Sequence, residues 1–92
     1  MSAEAALVAA LLAQLADAPE GVSLPRLCKR LGVRMSVLLR TLAWIGEEDV
    51  GGVRGPGWVR IREEGERTLA VLTAAGRAMA DALDTESSGI SH

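Results

Sequence analysis

Near the start of the chain, Leu7, Val8, Leu11, Leu12 and Leu15 recur at helical spacing. They predict a helix from Ser2 to about Asp17, capped by Ser2, with Glu4 favourably placed in the first turn. Alanines between Ala3 and Ala16 fill most of its remaining surface. A helix apolar nearly all round calls for cover on more than one side. A second subunit is one way to supply it; exposed alanines that need no cover are the other reading.

Ala18-Pro19-Glu20-Gly21 ends this helix, and Val22 suggests a strand stub. Ser23 then caps a second helix with Pro25 in its first turn. Leu24, Leu27, Cys28 and Leu31 make its apolar stripe, and Gly32 closes it. A third helix is expected from about Met35 to Glu47. Met35, Leu38, Leu42 and Ile45 form its core stripe and Leu39 borders the core. Arg34, Ser36, Val37, Arg40, Thr41 and Trp44 take its other faces.

A glycine-rich connector from Gly51 to Gly57 follows, without the Gly-Lys-Ser/Thr of a phosphate loop. Trp58 to Glu63 alternates: Val59 and Ile61 point one way, Trp58, Arg60 and Arg62 the other, with the face of the strand arginines left open. Glu64-Gly65 turns the chain into a return strand, Arg67 to Leu72, with Leu69 and Val71 expected inward. Thr73 caps a last helix to about Leu83. The reading is one domain over residues 1–83 and a disordered tail over 84–92.

Composition narrows the chemistry. Ninety-two residues, 49% apolar, suit one small globular domain. The aromatics are Trp44 and Trp58 alone, which argues against a base-stacking single-strand binder. One cysteine, Cys28, forms neither an internal disulfide nor a metal cluster, and it reads as a small core residue. The one histidine is His92. Without an internal histidine the usual general base is missing, and the pairs Glu47-Glu48 and Glu63-Glu64 read as solvated neighbours. The chain is therefore expected not to be an enzyme, with no catalytic residues, no metal and no cofactor. The apolar stretch from Ala5 to Ala16 is too short to cross a bilayer, so no membrane partner is expected and the default is a cytoplasmic protein.

The net charge of −2 hides a split. Between Arg26 and Arg62 lie eight basic residues and three acidic ones; the rest carries two basic residues and nine acidic ones. A basic middle fits a nucleic-acid binder, and it also fits a solvated surface with clustered cations.

The order helix, helix, tight turn, helix, hairpin, helix carries the strongest signal. Small Cys28, four residues before Gly32, allows two helices to cross closely, with Val33 and Leu38 filling the angle. With Leu27-Cys28-Lys29-Arg30-Leu31-Gly32-Val33 and Ser36-Val37-Leu38-Leu39-Arg40-Thr41-Leu42, the chain resembles winged helix-turn-helix transcription regulators. More loosely it resembles their MarR- and PadR-like branches. Leu72-Thr73-Ala74-Ala75-Gly76-Arg77 is similar to the Leu-Thr-x-x-Gly-Arg that follows the wing in many of them. The likeness spans roughly Gly21 to Leu83.

The resemblance implies a mainly helical fold with a β-hairpin wing and a recognition helix over about 34–47 in the major groove of duplex DNA. Arg34 and Arg40 would contact bases or phosphates, and Ser36 and Thr41 would bond either. Lys29 and Arg30 would touch the backbone, and Arg54, Arg60 and Arg62 would serve the wing. A homodimer through the first and last helices would present two recognition helices to a palindromic site. Departures are plain. The tip, Glu63-Glu64-Gly65-Glu66, is acidic, and Glu66-Arg67 stands where MarR-like wings carry Asp-x-Arg. Long flanking dimerisation helices are absent. A winged helix serving as a protein-interaction module without DNA binding is the alternative.

Overall fold

The computed structural model describes residues 3–46, 49–50 and 53–90, with side chains described for 4–46 and 55–84. The proposed Ser2 cap lies outside them. The first helix, α1 (Ala3–Ala16), buries Leu11, Leu12 and Leu15 completely. Its cover comes from the same chain: the second helix, the last helix and the return strand of the hairpin all pack on it. Ala6, Ala10 and Ala13, one stripe at helical spacing, stay exposed.

The stub β1 (Val22–Ser23) leads straight into α2 (Leu24–Leu31). Ser23 occupies the N-cap position in extended conformation, without a side-chain cap bond. Gly32 takes φ +68°, and the N–H of Val33 reaches the Cys28 carbonyl at 3.1 Å, which satisfies an end carbonyl of α2. The tight turn therefore forms where the sequence places it. Cys28 is half-buried against the core, with Sγ 4.0 Å from Met35 Sδ. The third helix, α3 (Met35–Ile45), follows after Arg34 at its N-cap and buries Leu38, Leu42 and Ile45. It stops before Gly46, short of the expected Glu47, which lies outside the described residues. Leu39, expected at the core border, is 49% exposed.

The connector is more regular than expected. β2 (Asp49–Val50) pairs antiparallel with β3 (Val53–Arg54), on either side of Gly51-Gly52 in sequence. A two-residue glycine pair between strands is a hairpin signal in its own right. The wing is β4 (Val59–Glu64) and β5 (Arg67–Leu72), reversing at Gly65 with φ +63°. β5 is central, because β1 pairs with its other edge through Val22–Ala70 and Ser23–Leu69. The sheet thus has three strands rather than two.

Register refines the inward assignments: Leu69 is buried as expected, but on the sheet face opposite Val59, and Val71 beside it is half-buried. Val59 stands opposite Leu72 and Ile61 opposite Ala70, so these four share one face. Val59 and Ala70 are in the core, and Leu72 packs against it. Leu69 and Val71 share the other face with Arg62 and Arg60. β5 is covered on both faces, so its sequence is apolar at every position from Leu69 to Leu72 and alternation gives no parity. Ile61 faces inward but is 47% exposed, because β4 runs past the end of the core.

Helix α4 (Ala74–Ile90) passes the expected end at Leu83 and extends through most of the segment read as a tail. No proline interrupts Asp84 to Ile90, so nothing stops the helix there. Thr73 caps it: its hydroxyl accepts the Gly76 N–H at 3.1 Å and donates to the Gly57 carbonyl.

Candidate nucleic-acid interface

The helix-turn-helix unit is built from α2, the Gly32 turn and α3. Between Gly21 and Gly46 it carries Arg26, Lys29, Arg30, Arg34 and Arg40 and no acidic residue. All five cations are exposed. The reason is local: Leu24, Leu27, Leu38, Leu42 and Ile45 use up the inward stripes, so the charged residues point out.

On α3, Ser36 and Arg40 lie one helical turn apart along the exposed ridge. Arg34 stands at its N-cap, and its carbonyl accepts the N–H of Leu38 at 3.0 Å. Thr41 is half-buried, and its hydroxyl proton goes to the Val37 carbonyl at 2.9 Å, leaving only acceptor capacity for a ligand. Lys29 and Arg30 lie on α2. Lys29 is exposed, and Arg30 Nη1 donates to Gln14 Oε1 at 3.3 Å.

The flanks of α3 are apolar. Toward β4, Leu39 and Ala43 share a groove of about 370 Å³ with Ile61, Val59 and Leu24. Toward α1, Val37 and Trp44 share one of about 410 Å³ with Leu7, Val8 and Trp58, and Arg40 also lines it. Trp44 is 66% exposed. Neither groove was anticipated. Val37 and Trp44 stood on the outer faces in the sequence, but the opposing walls are set by tertiary packing.

The root of the wing is fixed to α3. Trp58 N–H donates to the Ile45 carbonyl at 2.7 Å, and Gly57 N–H to Gly46 at 3.0 Å. Arg62 does not join the α3 ridge, and Arg60 meets α3 only at the edge of the groove lined by Leu39 and Ala43. Arg60 and Arg62 occupy the sheet face turned away from the core, which α3 helps to form. Arg62 Nη2 is engaged with the Glu20 carbonyl at 3.1 Å and with Glu64 at 2.9 Å. Arg60 lines shallow hollows beside Thr73 and Ala74. The backbone of Arg54 lies in β3, and its side chain is outside the described residues. The acidic tip is exposed throughout. Among the described residues no cluster of three or more His, Cys, Asp or Glu could hold a metal, and no helix is long and apolar enough to cross a membrane.

Helix order, tight turn and hairpin define a winged helix-turn-helix fold. A crystal structure from Ralstonia eutropha JMP134 is similar to this chain, with 29% identity and a TM-score of 0.65. The match covers 84% of this chain and 93% of that one. That protein carries a provisional designation as a DNA-binding protein. No family model matches the chain. No curated protein matches it either.

Proposed function

We propose that this protein binds duplex DNA through α3 and acts in transcriptional control, without catalysis or cofactor. One observation carries the reading: five exposed cations and no acid on the two helices and turn that would meet the duplex. Arg34 and Arg40 contact bases or phosphates, Ser36 bonds either, and Lys29 holds the backbone. Arg30 and Thr41 act at the edge of this surface. The DNA-binding designation of the Ralstonia protein supports the reading, and so does the sequence likeness to MarR- and PadR-like regulators. Two copies paired through α1 and α4 would set their recognition helices about 34 Å apart, one turn of duplex. The exposed stripe Ala6, Ala10 and Ala13 supports that pairing. Such work belongs in the cytoplasm.

Fluorescence anisotropy on a random duplex pool tests this reading. Binding should weaken steeply with salt, as condensed counterions are released, and should be largely lost in the Arg34→Ala/Arg40→Ala double variant. No binding even at low salt overturns it.

A second reading rests on the exposed apolar residues Met35, Leu39, Trp44 and Ile61, three of them on α3. Leu39 and Ile61 lie on the flank of α3 toward β4 and Trp44 on the flank toward α1, and exposed apolar flanks of this kind suit a protein partner. Capture of a partner lost on Trp44→Ala, with no duplex binding, would favour it.

A further inference from the structure

We propose that α3 reads thymine through its C5 methyl, with Leu39 as the reading residue beside the guanine-reading Arg40. The inference rests on the DNA reading above. Leu39 and Arg40 are both exposed and stand about 100° apart around α3, on either side of the line through Ser36 and Ala43, so a major groove that takes up the face between them meets both side chains. Leu39 is not held by the core: half of it is open, and its neighbours across the groove are Ile61 and Ala43. The α3 ridge offers little else to read bases. Ser36 and Arg40 are its polar members, and no Asn, Gln, Asp or Glu lies between Met35 and Ile45 to bond adenine or cytosine.

Base edges in the major groove are otherwise polar. An exposed leucine pressed against them would strip water from donors and acceptors and return nothing. The thymine C5 methyl is the one apolar group that the four standard bases present there. A site that accepts Leu39 therefore places a thymine methyl against it, near the guanine taken by Arg40. Ala43, one turn on and on the same flank, leaves room for the methyl and the sugar-phosphate edge rather than filling the groove. α3 thus favours sites that combine guanine with neighbouring thymine and tolerates replacement of thymine by cytosine poorly.

The test begins with selection of duplexes from a random library by the full chain. Each thymine of the selected site is then replaced by deoxyuridine, which keeps the hydrogen-bond pattern and removes only the methyl. At one or two positions affinity should fall about fourfold, the worth of one buried methyl. In Leu39→Ala the same replacement should make no difference. Leu39 is half exposed, so this variant should keep its fold, and a circular dichroism melt checks that it does. Equal affinity for thymine and deoxyuridine duplexes at every position overturns the inference and leaves DNA binding standing. A methyl effect that persists in Leu39→Ala also overturns the assignment to Leu39. Failure to select any duplex overturns the DNA reading and this inference together.

Discussion

Arg62 stands directly across the hairpin from Leu69, which puts its side chain on the sheet face turned away from the core. There it bonds the Glu20 carbonyl and the Glu64 carboxylate. Arg40 lies on the exposed ridge of α3. The two arginines should behave differently. Arg40→Ala should weaken duplex binding by about 1–3 kcal/mol and relax the preference for guanine at the position it contacts. Arg62→Ala should leave duplex affinity and its salt dependence unchanged. Its ion pair is more than half exposed and screened by solvent, so stability should fall by less than about 1 kcal/mol. Anisotropy titrations over a salt series, with urea melts of both variants, measure the contrast.

Gly76 presses against the Trp58 carbonyl so closely that a side chain has no room: a Cβ there would collide with Trp58 O and crowd the Leu72 side chain. Gly76→Ala should cost about 1–3 kcal/mol, as expected when a packed contact is overfilled. In a domain of this size each kcal/mol lowers the melting temperature by about 4–8 °C. A thermal melt by circular dichroism checks it.

Gly32 presents the opposite situation. Open space surrounds its would-be Cβ, yet its φ is +68°. Gly32→Ala should therefore destabilise by about 1 kcal/mol through backbone conformation alone. Gly32→Asn should be milder, because asparagine tolerates this region better. Equal stability of all three proteins in urea would contradict this account of the turn.

Leu38 is fully buried where α3 meets the rest of the core. Leu38→Ala should cost about 2–5 kcal/mol from lost burial and the cavity left behind. Leu39→Ala, one residue on and half exposed, should change stability far less. Parallel denaturation curves separate the inward stripe of α3 from its outer flank.

Thr73 joins the connector to α4 by donating to Gly57 and accepting from Gly76. Thr73→Ala removes both bonds and should cost about 1 kcal/mol, the usual worth of an N-cap. Thr73→Ser should restore most of it. Hydrogen exchange at the Gly76 amide should quicken in the alanine variant.

The helices were legible because each has its own period and punctuation. Pro25 and Gly32 bracket α2, and Met35, Leu38, Leu42 and Ile45 of α3 recur every three to four residues. The hairpin limits were legible for the same reason. What escaped was set by partners distant in sequence. The run Leu69-Ala70-Val71-Leu72 gives no inward direction, because β1 and the Gly21 turn cover what a lone hairpin would leave open. Ile61 shares the core-facing side of β4 with Val59 yet stays exposed, because the core ends before it. Of the five cations of the candidate surface, Lys29, Arg30, Arg34 and Arg40 were readable from the sequence as site candidates, whereas Arg26 entered only the basic balance. The sheet face that carries the strand arginines was not readable, because it depends on cross-strand register.

The ladder between Val22 and Ala70 encloses α2, α3 and β4 within a single chain loop. Closing that loop carries an entropic cost that local helix formation does not. It also raises the mean separation of contacting residues above that of a plain three-helix bundle. The hairpin can zip early from its own turn, whereas β1 joins only when the intervening helices have collapsed. From this topology the two-residue stub is expected to pair late in folding, with the sheet completed only as α2 docks.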